Sequence, residues 1–206
     1  MPKKKTAGQS SLADRIAHDI QSGNYGAGAW LKQIDMQERY EAKRLDVRRA
    51  LDQLVHKRLI EHIPNRGYHV YAMSQQRQDE IRDIRVMLET GAAADLVAHA
   101  TQARIKNLRA LAERFAGLLH EGTLLDQYEV NLAFHSAMYD ICSNRELASL
   151  IEDMRGRAPS APATQWWTRA RIEQSAREHF QIVEAIEARD AARLRKIIAA
   201  HINQDA

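Results

Sequence analysis

Imidazole and guanidinium are the groups in this sequence whose spacing could do chemistry. Asn131 and His135 stand at i and i+4, so on a helix they share one face and could both reach one ion. His179 and His201 are 22 residues apart. On one straight helix that is ~33 Å, too far to share a metal. The break at Ala188-Arg189-Asp190 permits two antiparallel helices instead, which could bring them together. Three imidazoles from three helices would suit Zn, Ni or a similar divalent ion. The same histidines also fit a plain packing role with ordinary hydrogen bonds, and the residues alone leave both readings open. The single cysteine, Cys142, excludes a disulfide framework and a multi-cysteine zinc site. Its place after a helix end suits a small packing residue.

Three arginines, Arg44, Arg48 and Arg49, lie between Glu41 and Lys57. If this stretch is a helix from about Arg44, then Val47, Ala50, Leu51 and Leu54 fall within one stripe of ~100°. Arg48, Arg49, Asp52, Gln53 and His56 point away from that stripe, and Arg44 opens the helix. Such a helix can pack by its apolar side and offer arginines to the O6/N7 edge of guanine or to phosphate. It also fits an amphipathic surface helix with a basic outer face.

The surrounding elements must position these groups. Ser10 or Ser11 can cap a helix through Leu12, Ile16 and Ile20, which Gly23, Gly26 and Gly28 then break. A short helix fits Asp35–Tyr40, and Glu41–Lys43 reads as a turn. Leu59–Ile63 and Tyr68–Tyr71 flank Pro64-Asn65-Arg66-Gly67, the pattern of a β-hairpin. Three helices and a hairpin within a short span are the layout of a winged helix-turn-helix. From Gln75 onward, periodicity predicts only helices, with Ile81, Ile84, Leu88 and Ala92 on the first. Further helices fit about 104–120, 123–141, 145–156, 167–188 and 190–203, an all-α bundle of about six.

Charge divides the chain in the same way. Residues 1–74 carry 13 Lys+Arg against 8 Asp+Glu, a net of +5, whereas residues 75–206 carry 17 against 19, a net of −2. A basic first third could face a polyanion. The expected fold is therefore mainly α, with a winged helix-turn-helix domain over 10–73 and an all-helical domain over 78–206. With 45% hydrophobic residues an ordinary core is available. No window approaches ~20 consecutive apolar residues, so no membrane partner is expected. The basic start, MPKKKTAGQ, is not followed by an apolar run, so the expectation is a cytoplasmic protein without a secretory signal.

The run from Ile16 to Val70 resembles the GntR family of bacterial transcription regulators. The matching pieces are Ile20-Gln21-Ser22-Gly23, Gly28 with Leu31, Asp35-Met36, Arg44, Val47-Arg48 and Ala50-Leu51. Arg58-Leu59-Ile60-Glu61 and Arg66-Gly67-Tyr68-His69-Val70 complete it. Five positions depart: the usual Pro is Ala27, the usual Ser is Lys43, the usual Thr-Pro is Leu45-Asp46, and the usual Glu is Arg49. They alter the groove-facing surface, so the operator sequence cannot be borrowed from relatives. The resemblance implies that Arg44 and Arg48 contact double-stranded operator DNA, with Arg49 beside them. It also implies that Gly67 lets the wing approach the minor groove with Arg66.

The second part resembles the effector (FCD) domain of the FadR branch, in its shorter, six-helix VanR-like form. The resemblance rests on Asp83–Glu89 with Ala92-Ala93, on Asn131–His135, on Glu178–Ile186, on Asp190-Ala191 and on Ala200-His201-Ile202. It implies a metal site of Asn131, His135, His179 and His201. Asn131 stands where Asp is usual, so a divalent metal (Zn or Ni) would be held more weakly. It further implies a small carboxylate effector, for which Arg85 and Arg155 are candidate cations, although Arg85 could equally pair with a neighbouring acid and Arg155 could lie at a solvated helix end. Trp166-Trp167 could line the cavity or a dimer surface.

The implied function is a DNA-binding regulator, a repressor by the common pattern, whose homodimer responds to an organic acid. A three-histidine metal enzyme is the alternative. Against it, Glu178 adjoins His179 in sequence and falls on a different part of the helix face, so no general base accompanies the motif. A DNA-binding structural protein without an effector is a third reading.

Overall fold

The computed structural model describes residues 11–157 and 168–203. The Lys3–Lys5 run, Pro159, Pro162 and Trp166-Trp167 lie outside the described residues. The chain divides into two compact units, Met1–Met73 and Ser74–Ala206.

The first unit holds α1 (Leu12–Gln21), β1 (Trp30–Leu31), α2 (Gln33–Tyr40), α3 (Arg44–His56), β2 (Ile60–Ile63) and β3 (Gly67–Val70). Ser11 and Asp14 form a reciprocal capping box that starts α1. Glu41 adopts a left-handed conformation, φ 51°, and so makes the sharp turn between α2 and α3. Ile16, Leu31, Met36, Val47, Leu51, Leu54 and Tyr68 meet in one core. Asp19 ties α1 to α2 by accepting bonds from Tyr40 Oη at 2.5 Å and Arg39 Nη2 at 3.1 Å. The hairpin turns through Asn65 and Gly67, both at positive φ. β1 is an unforeseen element. It pairs antiparallel with β3, Trp30 opposite His69 and Leu31 opposite Tyr68, giving the sheet order β1-β3-β2. Two residues are too few to show a period of two, so no sequence pattern announces this strand.

The second unit is helical among the described residues: α4 (Gln75–Gly91), α5 (Ala93–His99), α6 (Gln102–Glu121), α7 (Leu124–Tyr139), α8 (Arg145–Arg157), α9 (Arg169–Glu187) and α10 (Ala191–Asn203). Seven described helices stand where about six were expected. The difference is α5, because the first helix breaks at Gly91-Ala92 and a separate turn brings buried Ala92, Ala93 and Leu96 into the core. Helices α6 and α7 pack side by side, α9 lies on α6, and α10 packs on both α4 and α9. At the α9–α10 junction Arg189 takes positive φ, and its guanidinium donates to the carbonyls of Val97 and Ala100 at the end of α5. A cation there suits the negative end of the α5 dipole. Asp190 then caps α10 through Arg193 N at 2.9 Å. Cys142 is buried in this core.

Candidate functional site

The basic face lies on α3 and the wing. Val47, Ala50, Leu51 and Leu54 turn inward and are buried, while Arg44, Arg48 and Arg49 are exposed. The second strand of the wing is fastened to this helix close to the hairpin turn: Tyr68 Oη donates to Asp52 Oδ1 at 2.7 Å. Burial and the Asp52 carboxylate push the Tyr68 phenol up to about 12, against an opposing effect of the nearby Arg48. At the wing tip Arg66 is exposed and its guanidinium lies 5.3 Å from the centre of the Trp30 ring. Trp30, Lys32, Ile34, Arg44, Arg66 and Gly67 line a groove of about 590 Å³.

Apart from α2 and α3, the described helices start on a side-chain cap, with α5, which starts after Ala92, the exception. Ser11, Ser74, Thr101, Thr123, Asn144, Thr168 and Asp190 each cap a helix with a side-chain oxygen. The residues at the N-caps of α2 and α3 are Lys32 and Lys43, and neither makes a side-chain cap. The first N–H groups of both helices therefore lack a side-chain acceptor, with a cation beside them. That combination attracts a phosphate oxygen.

The second candidate site is built by α7, α9 and α10. His135, His179 and His201 each offer one ligand atom, and these atoms lie within 4.8 Å of one another. The 22-residue gap between the last two is closed by the antiparallel turn at Arg189. His201 Nε2 lies 3.1 Å from His135 Nε2. His179 is fully buried and stacks on Phe134 at 4.1 Å between ring centres. Neither ring nitrogen of His179 has a hydrogen-bond partner, nor does His135 Nδ1. Unpaired buried nitrogens are costly in a plain core. Burial drives His135 and His179 well below the usual imidazole range, and it lowers His201 against the opposing pull of Glu178. Neutral imidazole is the form that binds a metal. Asn131 is half-buried one turn before His135 on α7.

Glu178 belongs to this cluster, contrary to the sequence reading that set it apart. His201 Nδ1 donates to Glu178 Oε2 at 2.6 Å, and Arg171 grips both carboxylate oxygens at 3.0 Å. Burial would raise this carboxyl, but His201 and Arg171 outweigh it and hold it at about 2. The local signal was the spacing Arg171–Glu178, two turns along one helix face. The partner on α10 was beyond any local pattern.

Arg85 and Arg155 are brought together on a third group, Glu89, the neighbouring acid that the sequence reading allowed Arg85 but did not name. Arg85 Nε donates to Glu89 Oε1 at 2.8 Å, Arg155 Nη1 to Oε2 at 3.0 Å, and Tyr139 Oη to Oε2 at 2.6 Å. Glu89 is 1% exposed, and the two arginines outweigh its burial and keep its carboxyl below the usual range. Arg155, in the last turn of α8, is therefore half-buried in an ionic network and not simply solvated. Both guanidinium groups also bear on His135, helping to keep it neutral. The signal for Glu89 was its i+4 spacing from Arg85.

Comparison with known proteins agrees with both halves. Residues 9–70 match the family "Bacterial regulatory proteins, gntR family", and residues 80–204 match the FCD domain family. The chain is 28% identical over 198 residues to the uncharacterized HTH-type transcriptional regulator BphR of Paraburkholderia xenovorans, covering 91% of this chain and 79% of that protein. It is 25% identical over 197 residues to the HTH-type transcriptional repressor GlaR of Escherichia coli, covering 91% and 89%. Among solved structures it is similar in fold to McbR/YncC of E. coli, with a TM-score of 0.84, 23% identity and coverage of 94% and 92%.

Proposed function

This chain belongs to the GntR family of bacterial regulatory proteins, in the branch with an FCD domain, and from that premise we propose that it is a repressor released from its operator by a small organic acid. Two copies would place two α3 helices on a palindromic site, since a two-fold dimer matches a two-fold operator. Arg44, Arg48 and Arg49 would work in the major groove. Arg66 and Gly67 would serve at the wing, and the bare starts of α2 and α3 would take phosphates.

In the helical domain His135, His179 and His201 fit a divalent ion of the Zn or Ni type, with Asn131 as a weaker fourth donor. The observation that carries this reading is the buried His179 ring with both nitrogens unpartnered. When bound, the ion supplies a Lewis-acid position for a carboxylate oxygen. His201 is oriented for it by Glu178, as a carboxylate bonded to the far nitrogen orients a ligating imidazole. Arg85 and Arg155 add positive charge that favours an anion, and Glu89 holds them in place. Effector and operator affinities are reciprocally linked, so an acid that weakens DNA binding must itself bind less well to the DNA-bound protein.

The enzyme alternative has less support, because the matched families are regulators and Glu178 is engaged by His201 and Arg171. The test is a thermal-shift and operator-shift screen of organic acids with and without Zn or Ni. His135→Ala, His179→Ala and His201→Ala should each abolish metal-dependent stabilisation. If all three keep it, the site assignment is wrong. Arg44→Ala with Arg48→Ala should abolish the operator shift with the fold intact, and retained binding would overturn the DNA face.

A further inference from the structure

We propose that Leu45 reads the 5-methyl group of a thymine in the major groove, an inference that rests on the DNA-binding reading of α3. Leu45 is the second residue of α3 and is 57% exposed. It stands between exposed Arg44 and Arg48, on a helix whose inward stripe is complete without it. Among the described residues, Leu45 is not part of the core of this unit. A recognition helix enters the groove with its N-terminal residues leading, so Leu45 would sit among base edges.

The chemistry of those edges restricts what Leu45 can meet. Guanine, adenine and cytosine present N7, O6 and exocyclic amines, all polar. Thymine presents the one apolar group in the groove, its 5-methyl. Leucine against a polar edge would leave donors or acceptors without water or partner, which is unfavourable. Against the methyl it removes apolar surface from water at no polar cost. The arginines on either side favour guanine. The half-site therefore pairs a guanine with a neighbouring thymine, and Leu45 sets the thymine.

The experiment starts from the tightest duplexes that the full-length protein selects from randomised DNA. Thymines are then replaced by deoxyuridine, one symmetry-related pair at a time, which deletes only the methyl. One pair of replacements should weaken the wild type by about fourfold per half-site, the worth of one buried methyl group. Leu45→Ala should bind the thymine and deoxyuridine duplexes alike, and Leu45→Met should restore the difference. All three residues are strong helix formers, so α3 is kept. A wild type that tolerates every deoxyuridine, or a Leu45→Ala variant that keeps the full difference, overturns the proposal while leaving DNA binding standing. A wild type that selects no duplex overturns the DNA-binding reading as well.

Discussion

His201 and Glu178 are joined by a 2.6 Å hydrogen bond between imidazole Nδ1 and carboxylate Oε2, linking α10 to α9. With the proton on Nδ1, His201 presents a lone pair at Nε2, 3.1 Å from His135 Nε2. The carboxylate thus chooses the tautomer that can bind a metal. Glu178→Gln keeps a hydrogen-bonding group of the same shape but removes the charge. It should weaken Zn or Ni binding by about 10–100-fold, as loss of a carboxylate that orients a ligating imidazole does elsewhere. Metal titration followed by thermal shift measures this, and unchanged affinity would remove Glu178 from the site.

His179 separates a metal ligand from a packing residue. Its ring lies flat on Phe134, with an interplanar angle of 20°, and Phe115 lies 4.9 Å away. His179→Phe should raise the stability of the metal-free protein by about 1–2 kcal/mol, because two unpaired buried nitrogens disappear. The same variant should lose all stabilisation by added metal. Chelated and metal-loaded melting curves show both effects. Persistent metal stabilisation would mean that His179 is not a ligand.

Lys43 tests whether the start of α3 is kept bare for DNA. Lys43→Ser supplies the missing cap and should stabilise the first unit by about 0.5–2 kcal/mol. It also removes a cation, so operator affinity should fall and the salt slope should shrink by about one per protomer. Gain of stability with full DNA affinity and an unchanged slope would show that Lys43 makes no phosphate contact.

Asp19 carries an acid-sensitive part of stability. Burial raises its carboxyl, but Tyr40, Asn24 and Arg39 outweigh that and hold it below the ordinary value of 3.8. The folded state therefore binds fewer protons than the unfolded one, and the stabilisation is present above about pH 4 and lost as pH falls through the depressed value. Asp19→Asn should be less stable than wild type at pH 7, and the gap should close in strong acid. A gap independent of pH would mean that the charge of Asp19 does not matter.

The helix-turn-helix core was legible because its signals are local. The stripe Val47, Ala50, Leu51, Leu54 is buried as its period implies, and Pro64–Gly67 turns the hairpin. β1 was not legible, since a two-residue strand is defined by its partner β3 and not by its own pattern. The break at Gly91-Ala92 was missed for a similar reason: small residues there serve the packing of α5, which periodicity continues straight through.

What the sequence by itself determined is which residues share a helix face: Asn131 with His135, Arg85 with Glu89, and the arginines of α3 away from its apolar stripe. Such relations follow from the helical repeat, which is a property of neighbouring residues. Only the tertiary structure decided that His201 meets both His135 and Glu178, and that Arg155 joins Arg85 on Glu89. Those contacts span 66, 23 and 66 residues of chain. They form because packing of the helices brings distant faces together and excludes water, which turns ordinary polar side chains into paired buried charges and neutral imidazoles.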